Sequence, residues 1–205
     1  MNTPKPGAIR PSRASLFLVL IVMLAPLGLS SAGGDVPEGW IRAGSAPADF
    51  DMGIDHAIVH AGKSSGFLKS KVTKPAGFGT LMQMCKGDEF HGKRVRMSAW
   101  VRSENVTDWA GLWMRVDGSD ANQALAFDNM QSRPIRGNSE WKKHQIVLDV
   151  APEAKDIAFG ILLQGTGHVW LDGVTFEVVD RSVPSTGRSL GTDLALQPQN
   201  LDFEK

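Results

Sequence analysis

The sequence predicts an all-β chain folded as an antiparallel jelly-roll sandwich, and three observations carry that expectation. Stretches of alternating apolar and polar residues recur roughly every 10 to 20 positions, separated by Gly, Pro, Asp and Asn. No segment sustains the period of an amphipathic helix for three turns. Near the end of the chain, Ile157 to Asp180 reads as two strands joined by Gly165-Thr166-Gly167.

Within that hairpin Ile157, Phe159, Ile161 and Leu163 share one face, with Ala158, Gly160 and Gln164 opposite. In the second strand Val169 and Leu171 alternate, then the parity flips to Val174, Phe176 and Val178. A flip of a period-2 pattern needs one extra residue, and Asp172-Gly173 supplies it as a bend-inducing β-bulge. Upstream, Val36 to Trp40 is a turn that delivers a Trp, and Ile54–His60, Phe67–Val72 and Gly77–Cys85 read as strands. Arg94–Arg102 places Val95, Met97, Ala99 and Val101 on one side; Gly111–Asp117 does the same with Leu112, Met114 and Val116. Gln123–Asp128 and Trp141–Val150 complete the set, with a loop through Pro134 and Gly137 between them. A short helical turn near Asn105–Trp109 or Pro152–Ala154 is the most helix the pattern allows.

The front of the chain reads as a leader. Residues 1–32 carry Lys5, Arg10 and Arg13 and no acid, then an apolar run from Leu16 to Ala25, then small residues at Ser30-Ser31-Ala32. This is the layout of a secretory signal peptide, and the run is short for a membrane span of about 20 residues. The chain is therefore expected to be exported, periplasmic or extracellular, with no membrane insertion after cleavage; an uncleaved anchor is the alternative. The expected organisation is a sandwich over residues 33–180, a linker over 181–199 and a terminal strand at 200–205 returning to the sandwich, the alternative for the tail being the start of a second module. In the whole chain 22 basic residues balance 22 acidic ones, and losing three basic residues with the leader makes the remainder −3. That balance offers no electrostatic case for nucleic acid. Cys85 is the single cysteine, so no internal disulfide forms, and a small buried hydrophobe is its expected role.

Motifs for catalysis are thin. Gly62-Lys63-Ser64-Ser65-Gly66 matches G-x-S-x-G, but a nucleophile elbow needs a helix after the serine, and FLKSKV reads as a strand. His56 and His60 would lie about 13 Å apart in a strand, too far to share one metal ion. The expectation is a non-enzyme without a cofactor. If the aliphatic faces form the core, successive strands turn Gln83, Trp100, Trp113, Arg115, Asp128 and Asn129 outward. Flat aromatics beside amide, guanidinium and carboxylate groups suit a sugar, whose C–H face stacks while its hydroxyls hydrogen-bond. The bland alternative is that the tryptophans are core residues.

Several motifs occur in the order of a known family: Pro37-Glu-Gly-Trp40, His60 to Gly66, Gln83 with Gly92 to Val101, Gly137 to Trp141, and Val169 to Val174. Together they resemble jelly-roll carbohydrate-binding modules of the family 4/9/22 type, among the galactose-binding-like sandwiches, over about residues 36–180. The resemblance implies a two-sheet sandwich, no catalysis, and a polysaccharide or glycoconjugate bound on a concave sheet face. The alternative is a structural, protein-interaction or sensing domain of the cell envelope. Such modules open with an N-x-x-F-E strand, which here stands at the other end as Asn200 to Glu204. A terminal strand returning to the sandwich would bring Glu204 near Asp172, and those two carboxylates could share a structural calcium ion.

Overall fold

The computed structural model describes residues 35–119 and 124–190. Ten strands and two short 3-10 turns, Pro47–Asp49 and Asp88–Phe90, make up its regular structure, with no α-helix among the described residues. The strands are β1 (Trp40–Gly44), β2 (Phe50–Asp55), β3 (Ser65–Ser70), β4 (Phe78–Lys86) and β5 (Arg94–Asp117). They continue with β6 (Ala124–Asp128), β7 (Ile135–Asp149), β8 (Asp156–Gln164), β9 (His168–Val179) and β10 (Arg188–Ser189). All the pairings are antiparallel, and the all-β sandwich expected from the alternating pattern is what forms.

One strand builds both sheets. The first half of β5 pairs with β9 and β7, in a sheet that runs on through β3 to β2; its second half pairs with β8 and β6, in a sheet that runs on through β4 to β1. We call these sheet II and sheet I. The stretches Arg94–Arg102 and Gly111–Asp117 are thus one strand that crosses from sheet to sheet, with no helical turn at 105–109. Asn105 sits at φ 52 in the crossing, in a left-handed conformation that Asn tolerates better than most residues. The crossing moves the core-facing set from odd residues (Val95 to Val101) to even ones (Val106, Ala110 to Val116). With them the large core gathers Phe50, Met52, Leu68, Leu81, Ile146, Ile161 and Val169 between the sheets.

The Pro37–Trp40 turn closes with the Trp40 N–H donating to the Pro37 carbonyl at 3.0 Å, and Gly39 holds φ +78. The bulge lies where expected: Ser98 pairs Thr175 but Trp100 pairs Asp172, and Gly173 takes φ +60. Residues 56–64 are a loop rather than a strand, and β7 starts at Ile135, inside the expected loop. The segment after Asp180 is not a free connector over its first ten residues. The Arg94 guanidinium donates to the Arg181 and Val183 carbonyls, Thr186 N–H donates to the Val147 carbonyl at 2.9 Å, and β10 pairs with β6. The leader expected at 1–32 and the terminal strand expected at 200–205, with Glu204, lie outside the described residues. Cys85 is half-buried, and burial followed by the charges of Asp156 and Glu89 pushes its thiol pKa up, which keeps it an unreactive packing group.

Candidate functional site

The six residues expected to share one outward surface do not share one. Because β5 crosses between sheets, Trp100 projects from sheet II while Trp113 and Arg115 belong to sheet I. Trp113 is 0 % exposed and joins Phe78, Met82, Trp109, Ala158 and Leu162 in a second apolar cluster on the outer side of sheet I. Its indole N–H donates to Thr80 Oγ1 at 2.8 Å, which in turn donates to the Ile161 carbonyl. Arg115 forms an ion pair with Asp117 at 2.7 Å. Asp128 is buried, taking two hydrogen bonds from Arg133, one from Thr186 Oγ1 and one from Met130 N–H. Asn129 Oδ1 accepts from Gln131 N–H in a local turn. Gln83 faces the interior, opening into a cleft between the sheets.

Trp100 alone of the six stands on a surface suited to recognition. It is half-buried on the outer face of sheet II, with His60 stacked on it at 4.1 Å between ring centroids and 16° between planes. Trp141 meets the same His60 edge-on at 5.6 Å. The loop that carries His60 is held in place by Asp172: one carboxylate oxygen accepts the N–H groups of both His60 and Ala61, each at 3.0 Å. Asp172, expected as a calcium ligand, is therefore engaged in anchoring this loop, and no metal-ligand cluster occurs among the described residues.

Two residues along from Trp100, the face becomes polar. Arg102, Ser103, Glu104, Asn105, Asn138 and Glu140 border a crevice of about 470 Å³ beside the crossing of β5. Arg102 pairs with Glu104 at 2.9 Å and reaches Glu140 at 3.8 Å. The Asn105 N–H donates to Asn138 Oδ1 at 2.6 Å, which sets the left-handed corner. Ser103 is 1 % exposed, and its hydroxyl has no hydrogen-bond partner among the described residues. One cation against two carboxylates leaves the crevice net negative, rich in acceptors and poor in attraction for anions.

The floor beyond Arg102 is aromatic. Its guanidinium lies 5.4 Å from the Trp170 ring centre, Trp170 donates to Asp55 at 2.8 Å, and His168 lies against Trp170 at 3.6 Å. Burial first, then the charge of Lys69, pushes the His168 pKa down to about 4. A histidine neutral in the fold and free to charge when unfolded stabilises fully above pH 6.5, and loses that contribution as pH falls from there toward 4. With the ring only partly buried, solvent screening reduces the expected loss to about 1 kcal/mol between pH 7.5 and 5. Urea midpoints at those two pH values measure it, and His168→Gln should flatten the difference.

Trp141, His60 and the crevice were missed as site residues at the level of sequence. A Trp flanked by Glu140, Lys142 and Lys143 in an extended stretch was the available signal for Trp141. The crevice has no such signal, because it depends on where β5 changes sheets.

No protein-family model matches the chain. A protein of Bacillus subtilis (strain 168), described as the uncharacterized HTH-type transcriptional regulator YbfP, is 48 % identical over 169 residues, or 82 % of this chain. The chain spans 57 % of that regulator's length. Among solved structures, the enzymatically active domain of bacteriophage CBA120 tailspike protein 4 superposes with a TM-score of 0.54, at 13 % identity, over 69 % of this chain and 20 % of that one. The CBM22-1–GH10 modules of Clostridium thermocellum xylanase 10B, solved with xylohexaose, give 0.50 at 13 % identity over 68 % of this chain and 26 % of that one. A carbohydrate-binding module of the β-sandwich superfamily also gives 0.50, at 12 % identity, over 72 % and 64 %. At these identities the likeness is one of fold: the chain carries the β-sandwich seen in carbohydrate-binding modules.

Proposed function

We propose that this chain is a non-catalytic recognition module that binds a neutral glycan on the outer face of sheet II. The observation that carries the reading is the continuity of the Trp100–His60–Trp141 cluster with the acceptor-rich crevice bordered by Arg102, Glu104, Asn105, Asn138 and Glu140. The exposed imidazole of His60 and the edge of Trp141 offer the apolar faces on which a pyranose ring stacks. The net negative crevice favours neutral sugars over uronates, sulfates or phosphates. The recurrence of this fold in carbohydrate-binding modules supports the reading, and the signal-peptide-like pattern of residues 1–32 supports an exported location.

Retention of the purified chain on a panel of immobilised polysaccharides tests it. Trp141→Ala is expected to lower retention on the responding glycan by tenfold or more, about 1.4 kcal/mol, and Glu104→Gln to lower it as well, both with thermal midpoints near wild type. No retention on any neutral glycan, or unchanged retention by both variants, would sink the glycan reading.

A second reading is that the sandwich senses a small molecule. The 169-residue similarity to a transcriptional regulator favours it.

A further inference from the structure

At one edge of the sandwich the two sheets part and leave a cleft of about 410 Å³ that the core does not fill. We propose that this cleft is a second site, separate from the glycan face, which binds a small, flat, uncharged aromatic or heteroaromatic molecule bearing an amide-like edge. Its volume lies in the range of small-molecule pockets rather than of packing defects. Trp40, Leu81, Phe159, Leu171, Val174 and Phe176 wall it. Phe159 stands edge-on to Trp40 at 5.8 Å and to Phe176 at 4.7 Å, so the aromatic walls present both faces and edges to an inserted ring.

The polar group at the mouth is Gln83. In the register of sheet I it lies between Trp40 on β1 and Phe159 on β8, an amide in the middle of an aromatic row on the inward face. Its half-buried side chain makes no hydrogen bond among the described residues, so both ends of the amide are open at the mouth of the cleft. Gly39 leaves room for it: a Cβ at that position would come within 2.6 Å of Gln83 Nε2. A glutamine amide offers one acceptor and two donors side by side, the complement of a lactam or carboxamide edge. Among the lining residues the single charged one is Asp172, an acid, so the mouth disfavours an anion. The glycan site lies on the outer side of sheet II, whereas this cleft opens between the sheets, where a ligand would act on their separation. That is a property the sensing reading needs.

The test uses the purified chain with three probes: 2-quinolinone (neutral, lactam edge), indole (neutral, one donor) and 2-naphthoate (anion), followed by ligand-observed NMR and tryptophan fluorescence. The expected result is saturable binding of 2-quinolinone at or below about 1 mM, and at least tenfold weaker binding of 2-naphthoate. Gln83→Leu should weaken 2-quinolinone about tenfold while leaving indole within about threefold. Ser64→Trp and Val174→Phe, which place bulk at the rim and in the wall, should each weaken both neutral probes tenfold or more. Two blocking variants are used so that failure of one to fold leaves the other to report. Trp141→Ala should bind all three probes as wild type does, which separates failure here from failure of the glycan reading. Absence of saturable 2-quinolinone binding, or wild-type binding by a folded blocking variant, overturns the proposal.

Discussion

Trp113→Ala should destabilise the fold by about 4 kcal/mol, a loss measurable in urea and large enough to separate a core tryptophan from a ligand-stacking one. The indole is 0 % exposed. Its register partner on β8 is Gly160, which has no side chain to obstruct it, so the ring extends over that strand to reach Thr80 on β4. Thr80 Oγ1 is satisfied in both directions, accepting from Trp113 and donating to the Ile161 carbonyl. Truncation removes the ring from an apolar cluster, opens a cavity between Met82 and Leu162, and strips Thr80 of its donor. Trp113→Phe keeps most of the volume and loses the N–H, so about 1–2 kcal/mol is expected there. Trp100→Ala, on the half-open face of sheet II, should cost less than Trp113→Ala. A Trp113→Ala variant with an unchanged urea midpoint would place the indole at a surface after all.

The contrast between these two tryptophans shows what the sequence could tell. Strand existence was legible because alternation is a local property: β4, β8 and β9 fall where their patterns put them, and the parity flip at Asp172-Gly173 marked a real bulge. Faces were legible only within one sheet. Val95–Val101 and Leu112–Val116 each showed which side was core, but the strand between them changes sheets at Asn105, and no local pattern declares that change. Residues facing away from the core in the two halves therefore lie on different sheets. A signal for the buried outer side of sheet I was present in β8, where Ile157 to Leu163 contains no polar residue on either face. An unbroken apolar run is what a strand buried on both sides looks like. Residues of the proposed binding face such as His60 were out of reach, because a loop folded onto a sheet 112 positions away by the Asp172 contact leaves no periodic trace.

Asp128→Ala is expected to cost about 3 kcal/mol and to free the segment around Thr186, because this carboxylate ties three pieces of chain together. It ends β6, caps the turn through Met130 N–H at 2.8 Å, and takes both terminal nitrogens of Arg133, at 3.1 and 2.6 Å. It also accepts from Thr186 Oγ1 at 2.6 Å, and the same hydroxyl accepts Val147 N–H at 2.8 Å from β7. The carboxylate side chain is 6 % exposed while Arg133 is 34 % exposed, so the orphaned guanidinium can turn toward water, which holds the cost near the lower end for a broken buried pair. Met130 at φ 60 loses the Asx contact that supports its left-handed backbone. Thr186→Val removes one arm of the network and should cost about 1 kcal/mol, with faster amide exchange at Thr186 but little change at Met130. For a domain of this size about 3 kcal/mol corresponds to a fall in melting temperature of roughly 6 to 12 °C. If Asp128→Ala instead melts with wild type and loses glycan retention, the carboxylate faces a ligand, and its place in the docking of residues 181–190 is wrong.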